Sequence, residues 1–190
     1  MEQVWDNIRY HARLSEASKL AWEKIMTRKE YKKDEYFIRE GEMPLTIAFV
    51  TQGLFAQYRT SKHGELIIER FFPEKYMMHT AGDLIASRPS STTIRALEPS
   101  VIWEFGFKDW YELMRQHIDI MKFYENFLMG DMLNRDRQYR INAEDETARL
   151  AYIKFKKDYP SLEPRLSTDE VAAYLGILPK HLEVLRNELN

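Results

Sequence analysis

Between Tyr31 and Phe107 the chain breaks into short segments of aromatic and β-branched residues, each closed by a turn signal. The segments are Glu35–Arg39, Leu45–Thr51, Leu54–Thr60, Leu66–Phe72, Thr92–Leu97 and Val101–Phe105. Between them stand Gly41 through Pro44, Gln52-Gly53, Lys62-His63-Gly64, Pro73-Glu74, Arg88-Pro89 and Glu98-Pro99. Runs this short are poor helices, and their spacing predicts the strands of a β-sandwich or barrel over residues 31–106. Gly64 suits the hairpin after Ser61, because it takes a positive φ without a Cβ penalty.

The flanking texture is helical. Val4, Ile8, Leu14, Leu20, Ala21 and Ile25 precede the strands, and the later ones fit an amphipathic helix starting at Ser15 or Ser18. From Lys108 to Asn142 there is no proline and one glycine, Gly130, which predicts one long helix from about residue 108 to 142. Its apolar residues include Leu113, Met114, Ile118, Met121, Phe123, Tyr124, Phe127, Leu128, Met132 and Leu133. They spread too widely for one buried stripe, so two partners are expected, the β-domain and the same helix of a second subunit. Met121, Tyr124, Leu128 and Met132 are the expected centre of that homodimer interface. A single helix buried within a monomer is the alternative. The run Arg135–Arg140 is charged and reads as solvated.

A third region follows. Ala148, Ala151, Tyr152, Phe155 and Tyr159 share one helical face that ends at Pro160. Ser167 with Glu170 three residues on is a capping box, opening a helix through Val171, Ala172 and Leu175 that stops at Gly176. Pro179 opens a last helix at its first position, with Leu182, Leu185 and Leu189 on one side. Two short helices about a glycine turn describe a helix-turn-helix. Its second helix would expose Lys180, His181, Glu183, Val184 and Asn187, the face that enters a major groove on a DNA reader. A plain helical hairpin has the same pattern.

Composition narrows the function classes. With 28 basic and 30 acidic residues among 190, the net charge of −2 draws the chain to neither nucleic acid nor membrane, so any basic surface is local. No cysteine is present, which excludes disulfides, thiolate metal sites, iron–sulfur clusters and cysteine nucleophiles. His11, His63, His79, His117 and His181 form no HxH or HExxH spacing, so no metal site is signalled. GxSxG, Walker A and GxGxxG patterns are lacking too, and the expectation is a non-enzyme. Met1 through Asp6 carry no basic, apolar leader, and no apolar run reaches transmembrane length, so a cytoplasmic protein is expected.

An N-terminal helix, a short-stranded β-domain, a long helix and a terminal helix-turn-helix, in that order, resemble the Crp–Fnr family of bacterial transcription regulators. The resemblance rests on Tyr36-Phe37-Ile38-Arg39-Glu40-Gly41, on Pro89-Ser90-Ser91 with Ile94-Arg95-Ala96-Leu97-Glu98, and on Val171 through Pro179. It is nearest to members common in Bacteroidetes-type bacteria. It implies an α+β fold: a cyclic-nucleotide-binding-like β-roll (a jelly roll), a long dimerisation helix and a C-terminal helix-turn-helix. The implied domains are a sensor over residues 1–144 and a DNA-binding domain over 145–190. The implied partners are double-stranded DNA, a second copy and RNA polymerase, with no membrane. The implied cofactor is none, or an unidentified small-molecule effector.

Two departures bear on function. Nucleotide-binding members hold the ribose with a glycine–glutamate pair and the cyclic phosphate with a later arginine, whose fork suits that anion. Here Gly82 is followed by Asp83, Arg88 precedes Pro89 instead of following it, and Ser90 stands at the arginine's place. Gly82, Asp83, Arg88, Ser90 and Ser91 are the candidate ligand residues, and cyclic AMP is not the expected ligand. In the last helix Leu178 replaces a threonine cap, and Glu183 and Val184 replace the serine and arginine expected to touch DNA. Lys180, His181, Glu183, Arg186 and Asn187 are the candidate DNA contacts, with Lys180 and Arg186 at phosphates. From Arg165 to Asn190 three basic residues face four acidic ones, a balance of −1 that is poor for approaching phosphates. The alternative is a degenerate sensor-like interaction protein that has lost DNA binding.

Overall fold

The structure, a computed structural model, describes residues 2–62, 64, 66–143 and 148–189, without the side chains of Gln3, Asn7, Tyr10 and residues 133–143. His63 of the hairpin, the side chains of Leu133 and of the run 135–140, and the domain boundary between 144 and 145 lie outside that description. The N-terminal elements are α1 (Glu2–His11) and α2 (Glu16–Glu23). The strands are β1 (Thr27–Tyr31), β2 (Tyr36–Ile38), β3 (Thr46–Gln52), β4 (Phe55–Thr60), β5 (Leu66–Phe72), β6 (Met77–Met78), β7 (Thr93–Ala96) and β8 (Ser100–Gly106), with the short helix α3 (Ala81–Ile85) between β6 and β7. Then come α4 (Phe107–Gln116), α5 (Ile118–Ala143), α6 (Ala148–Asp158), α7 (Thr168–Leu175) and α8 (Pro179–Leu189).

The strands form two four-stranded sheets in the orders β1-β8-β3-β6 and β2-β7-β4-β5, the sandwich expected from the segment spacing and, more closely, the jelly roll that the resemblance implies. β8 is the centre of the first sheet, pairing antiparallel with β1 from Thr27↔Glu104 and with β3 from Thr46↔Gly106. The interior of the roll is filled with Ile38, Val50, Phe55, Phe72, Ile94 and Ile102. The chain divides into two compact units, Met1–Gln57 with Phe71–Asp131, and Tyr58–Arg70 with Met132–Asn190.

In the first unit a second apolar cluster joins helices to the roll around Trp22, which is fully buried. Its ring centroid lies 4.1 Å from that of Trp110, 5.6 Å from Phe105 and 5.4 Å from Phe123. Aromatic groups at these separations gain from edge-to-face and offset contact beyond burial alone.

The expected single helix over 108–142 is two helices, because His117 leaves the helical region at φ −128 and ψ 100. The cause is tertiary. Ser15 caps α2, and the Asp119 carboxylate accepts the Ser15 N–H at 2.8 Å and the Ser18 hydroxyl at 2.7 Å. His117 Nδ1 lies 3.0 Å from the same hydroxyl. The break is therefore pinned to the start of α2, and α5 sets out from a fixed point.

The second unit holds α6, α7 and α8 around Tyr152, Phe155, Val171, Ala172, Leu182 and Leu185, all buried. The capping box is formed: Glu170 N donates to Ser167 Oγ at 3.2 Å, and Ser167 N donates to the Glu170 carboxylate at 2.7 Å. α7 stops at Gly176, whose φ of 68 is the left-handed conformation that glycine adopts freely. Among the described residues no helix is long and apolar enough to cross a membrane.

Candidate functional site

α3 and the loop from it to β7 carry the candidate ligand residues. Ser87, between α3 and Pro89, sits at a φ of 50, a conformation that non-glycine residues hold only where their surroundings enforce it. The turn brings Arg88 back onto α3, where its Nε donates to Asp83 Oδ1 at 2.7 Å. The other carboxylate oxygen of Asp83 accepts the Ser91 N–H and the Ser91 hydroxyl, each at 2.9 Å. Burial alone would raise the Asp83 pKa. The hydrogen bonds from Ser91 N–H, Arg88 and the Ser91 hydroxyl outweigh it, and the carboxyl stays below its ordinary value.

Asp83 and Arg88, separated in sequence, are thus brought together, and Ser91 with them. Gly82 is exposed on α3 and Ser90 is buried. The Ser90 hydroxyl donates to the Thr92 carbonyl at 2.8 Å, and its backbone is clamped by Gly41 N–H onto its carbonyl and by its own N–H onto Glu42 O, each at 2.8 Å. At the place where the family's arginine is expected there is a small, closed, internally bonded residue. Sequence reasoning missed Gln57, a buried amide that donates to Thr92 Oγ1 at 2.9 Å, because nothing in a strand pattern marks one glutamine as inward. A cavity of about 120 Å³ lies among Phe37, Ile38, Glu42, Met43, Leu45 and Thr80, small beside the roughly 300–1,000 Å³ of ligand pockets.

The candidate dimer residues divide by face. Ile120, Phe123, Tyr124 and Phe127 turn inward onto the first unit's own core. Tyr124, expected at a subunit interface, is buried there, its ring 5.9 Å from Trp110 and 6.4 Å from His79. Burial, with the charge of Asp131 adding to it, pushes its hydroxyl up to about 12. Leu128 is half-buried against that core. Ile118, Met121, Met129 and Met132 are exposed on the opposite face.

In the second unit Lys180, His181, Glu183 and Asn187 project from α8 into solvent, as does Val184. Leu182 and Leu185 face the core. Arg186 departs from the reading that placed it at phosphates. Its Nε donates to Glu163 Oε1 at 3.3 Å and its Nη1 to Thr168 Oγ1 at 2.8 Å, and Tyr152 donates to the same Glu163. Its guanidinium ties α8 to α7 and to the turn at Glu163–Arg165. The partner that engages it lies 23 residues upstream, a distance over which no local sequence signal operates.

Residues 28–117 match the cyclic nucleotide-binding domain family. No curated protein sequence matches the chain. Solved structures do. One is the c-di-GMP responsive global regulator CLP of Xanthomonas campestris, 14% identical, covering 92% of this chain and 91% of that one at a TM-score of 0.74. Another is FixK2 of Bradyrhizobium japonicum, 16% identical, covering 87% and 84% at 0.72. A third is a transcriptional regulator of the Crp/Fnr family from Eubacterium rectale, 16% identical, covering 90% and 82% at 0.70. At these identities the likeness is one of fold, and the cyclic nucleotide-binding-like roll with C-terminal helices is the fold they share. The matched span contains the Asp83–Arg88–Ser91 loop.

Proposed function

We propose that the chain is a homodimeric, DNA-binding transcription regulator of the Crp–Fnr type whose sensor roll does not take cyclic AMP. The observation that carries the regulator reading is the alignment of about nine-tenths of the chain, roll and C-terminal helices together, with a global regulator. α8 supports it locally, because its apolar side is buried and its polar side is presented. DNA and a second copy are the partners in this reading, and RNA polymerase is a further one. A gel shift against upstream DNA of the source organism tests it. Binding to a two-fold site that weakens steeply as salt rises is the expected result.

The effector reading rests on the loop. The Arg88 guanidinium faces a carboxylate of its own chain, and Ser90 offers no positive charge. A cyclic phosphate there would be desolvated with poor compensation. Calorimetry with cyclic AMP and cyclic GMP is expected to show no binding at physiological concentration.

Three observations favour the second reading, a sensor-like interaction protein without DNA binding. Arg186 is engaged internally, Glu183 is exposed, and Leu178 presents an apolar side chain at the start of α8. Gel shifts that are flat across all fragments would select it.

A further inference from the structure

The cavity among Phe37, Ile38, Glu42, Met43, Leu45 and Thr80 has walls of its own, and none of Gly82, Asp83, Arg88, Ser90 or Ser91 lines it. The fold fixes those walls. Ile38 ends β2, Thr46 opens β3, and the connection between them is tied down where Ser90 N–H donates to Glu42 O and Phe107 N–H to Leu45 O, each at 2.8 Å. A site held in this way needs little ordering when a ligand enters. Ile38 and Thr80 are each 6% exposed, whereas Met43 and Leu45 are 47% and 69% exposed, so the cavity runs from an enclosed floor to an apolar mouth.

Its polar groups define what fits. Thr80 stands immediately before α3, but its hydroxyl does not cap that helix and, among the described residues, is buried without a hydrogen-bond partner. Buried hydroxyls are nearly always paired, so one left over on a residue that lines a cavity points to an occupant. Among the described residues the one charged side chain in the wall is Glu42, whose carboxylate accepts the Arg39 N–H at 2.8 Å and lies 3.6 Å from the Arg39 guanidinium. An anion would meet that carboxylate, and a cation would compete with Arg39 for it. Size follows from volume. An apolar cavity of roughly 150 Å³ holds benzene, so one of about 120 Å³ excludes a nucleotide and admits a molecule of about six or seven non-hydrogen atoms.

We infer that this cavity is a binding site for a small uncharged molecule with an apolar body and one hydroxyl or carbonyl oxygen, which hydrogen-bonds to the Thr80 hydroxyl. Phe37, Ile38 and Leu45 contact the body, and Met43, whose unbranched thioether adapts to shape, covers it. The site stands whether or not α8 meets DNA.

The experiment titrates full-length protein carrying methyl-labelled methionine with phenol, toluene and benzoate, in wild type and Thr80→Val, and follows the Met43 methyl resonance by NMR. That resonance is assigned by its loss in Met43→Leu. Phenol should move it saturably, toluene should bind more weakly, and benzoate should have no effect at equal concentration. Thr80→Val should weaken phenol about three- to tenfold and leave toluene unchanged. Its Tm should equal or exceed that of wild type, because the hydroxyl it removes has no internal bond to lose. A Met43 resonance that no probe saturates overturns the inference, as does equal phenol binding by wild type and Thr80→Val. Benzoate that binds as tightly as phenol overturns the uncharged class. A Thr80→Val protein that fails to fold, or melts well below wild type, would make the hydroxyl a structural group and overturn the inference too.

Discussion

A Cβ built on Gly53 would stand 2.1 Å from Ser100 Oγ and 2.7 Å from Ser100 Cα. The φ of Gly53 is +92, so a side chain there is strained as well as crowded. Its N–H donates to Glu74 at 2.9 Å, and the next N–H, on Leu54, donates to the hydroxyl of Ser100 at 3.2 Å. One residue thus fixes the turn between β3 and β4 against the start of β8. Gly53→Ala is expected to destabilise by about 2–4 kcal/mol. Urea unfolding checks this, the midpoint falling at an unchanged slope. The sequence marks Gln52-Gly53 as a turn but cannot show that Ser100, 47 positions later, closes over it. The same limit hides Asp83. Its acid and the Arg88 base are legible as candidates, whereas the strained turn that joins them is not.

Among the elements, six of the strands lie where β-branched and aromatic runs place them, since such side chains suit a buried pleated strand such as β3, where Ile47 to Val50 are all buried. β1 does not announce itself. Its sequence, Thr27-Arg28-Lys29-Glu30-Tyr31, is charged and, but for the half-buried Tyr31, exposed at the sheet edge, and its strand character comes from pairing with β8. Such charges on an edge discourage pairing with other chains. The break at His117 is likewise invisible, having no proline or glycine to mark it. Asp119 makes it testable. Burial would raise its pKa, but hydrogen bonds from Ser15, Ser18 and Ile120 outweigh that and lower it from 3.8. A carboxyl with a depressed folded pKa stabilises above the unfolded value and loses that stabilisation as pH falls through the folded one. Asp119→Asn should therefore cost about 1 kcal/mol at pH 7, comparable to losing a helix cap. Its Tm deficit against wild type should shrink as the pH is taken below 3.8. A deficit that is constant down to acid pH would mean that the charge of Asp119 does not hold the break.

For the whole molecule, the exposed face of α5 and the exposed face of α8 are where the regulator reading is tested. Ile118, Met121, Met129 and Met132 leave an apolar stripe opposite the face that fills the core. In a two-fold dimer each substitution acts twice. Leu128→Asp places paired charges at that seam and should yield monomers in sedimentation at micromolar concentration, where wild type should be dimeric. Because Leu128 also touches its own core, Met129→Asp, at a residue 62% exposed, is the cleaner variant and should do the same without lowering the Tm. Two copies of α8 would then meet successive major grooves about 34 Å apart. Lys180 and Arg186 look alike in sequence and differ in place. Lys180 is exposed at the first turn of α8, so Lys180→Ala should weaken binding to every sequence and lower the salt slope by about one, with the Tm unchanged. Arg186 is bonded to Glu163 and Thr168, so Arg186→Ala removes a fastener between helices. It should lower the Tm of the unit and leave the salt slope of the protein that remains folded unaltered. Glu183→Ala, in contrast, should change preference at one base pair per half-site, and Glu183→Arg should tighten binding to any duplex. A salt slope that drops with Arg186→Ala and not with Lys180→Ala would reverse these two roles, placing the phosphate contact at the far end of α8.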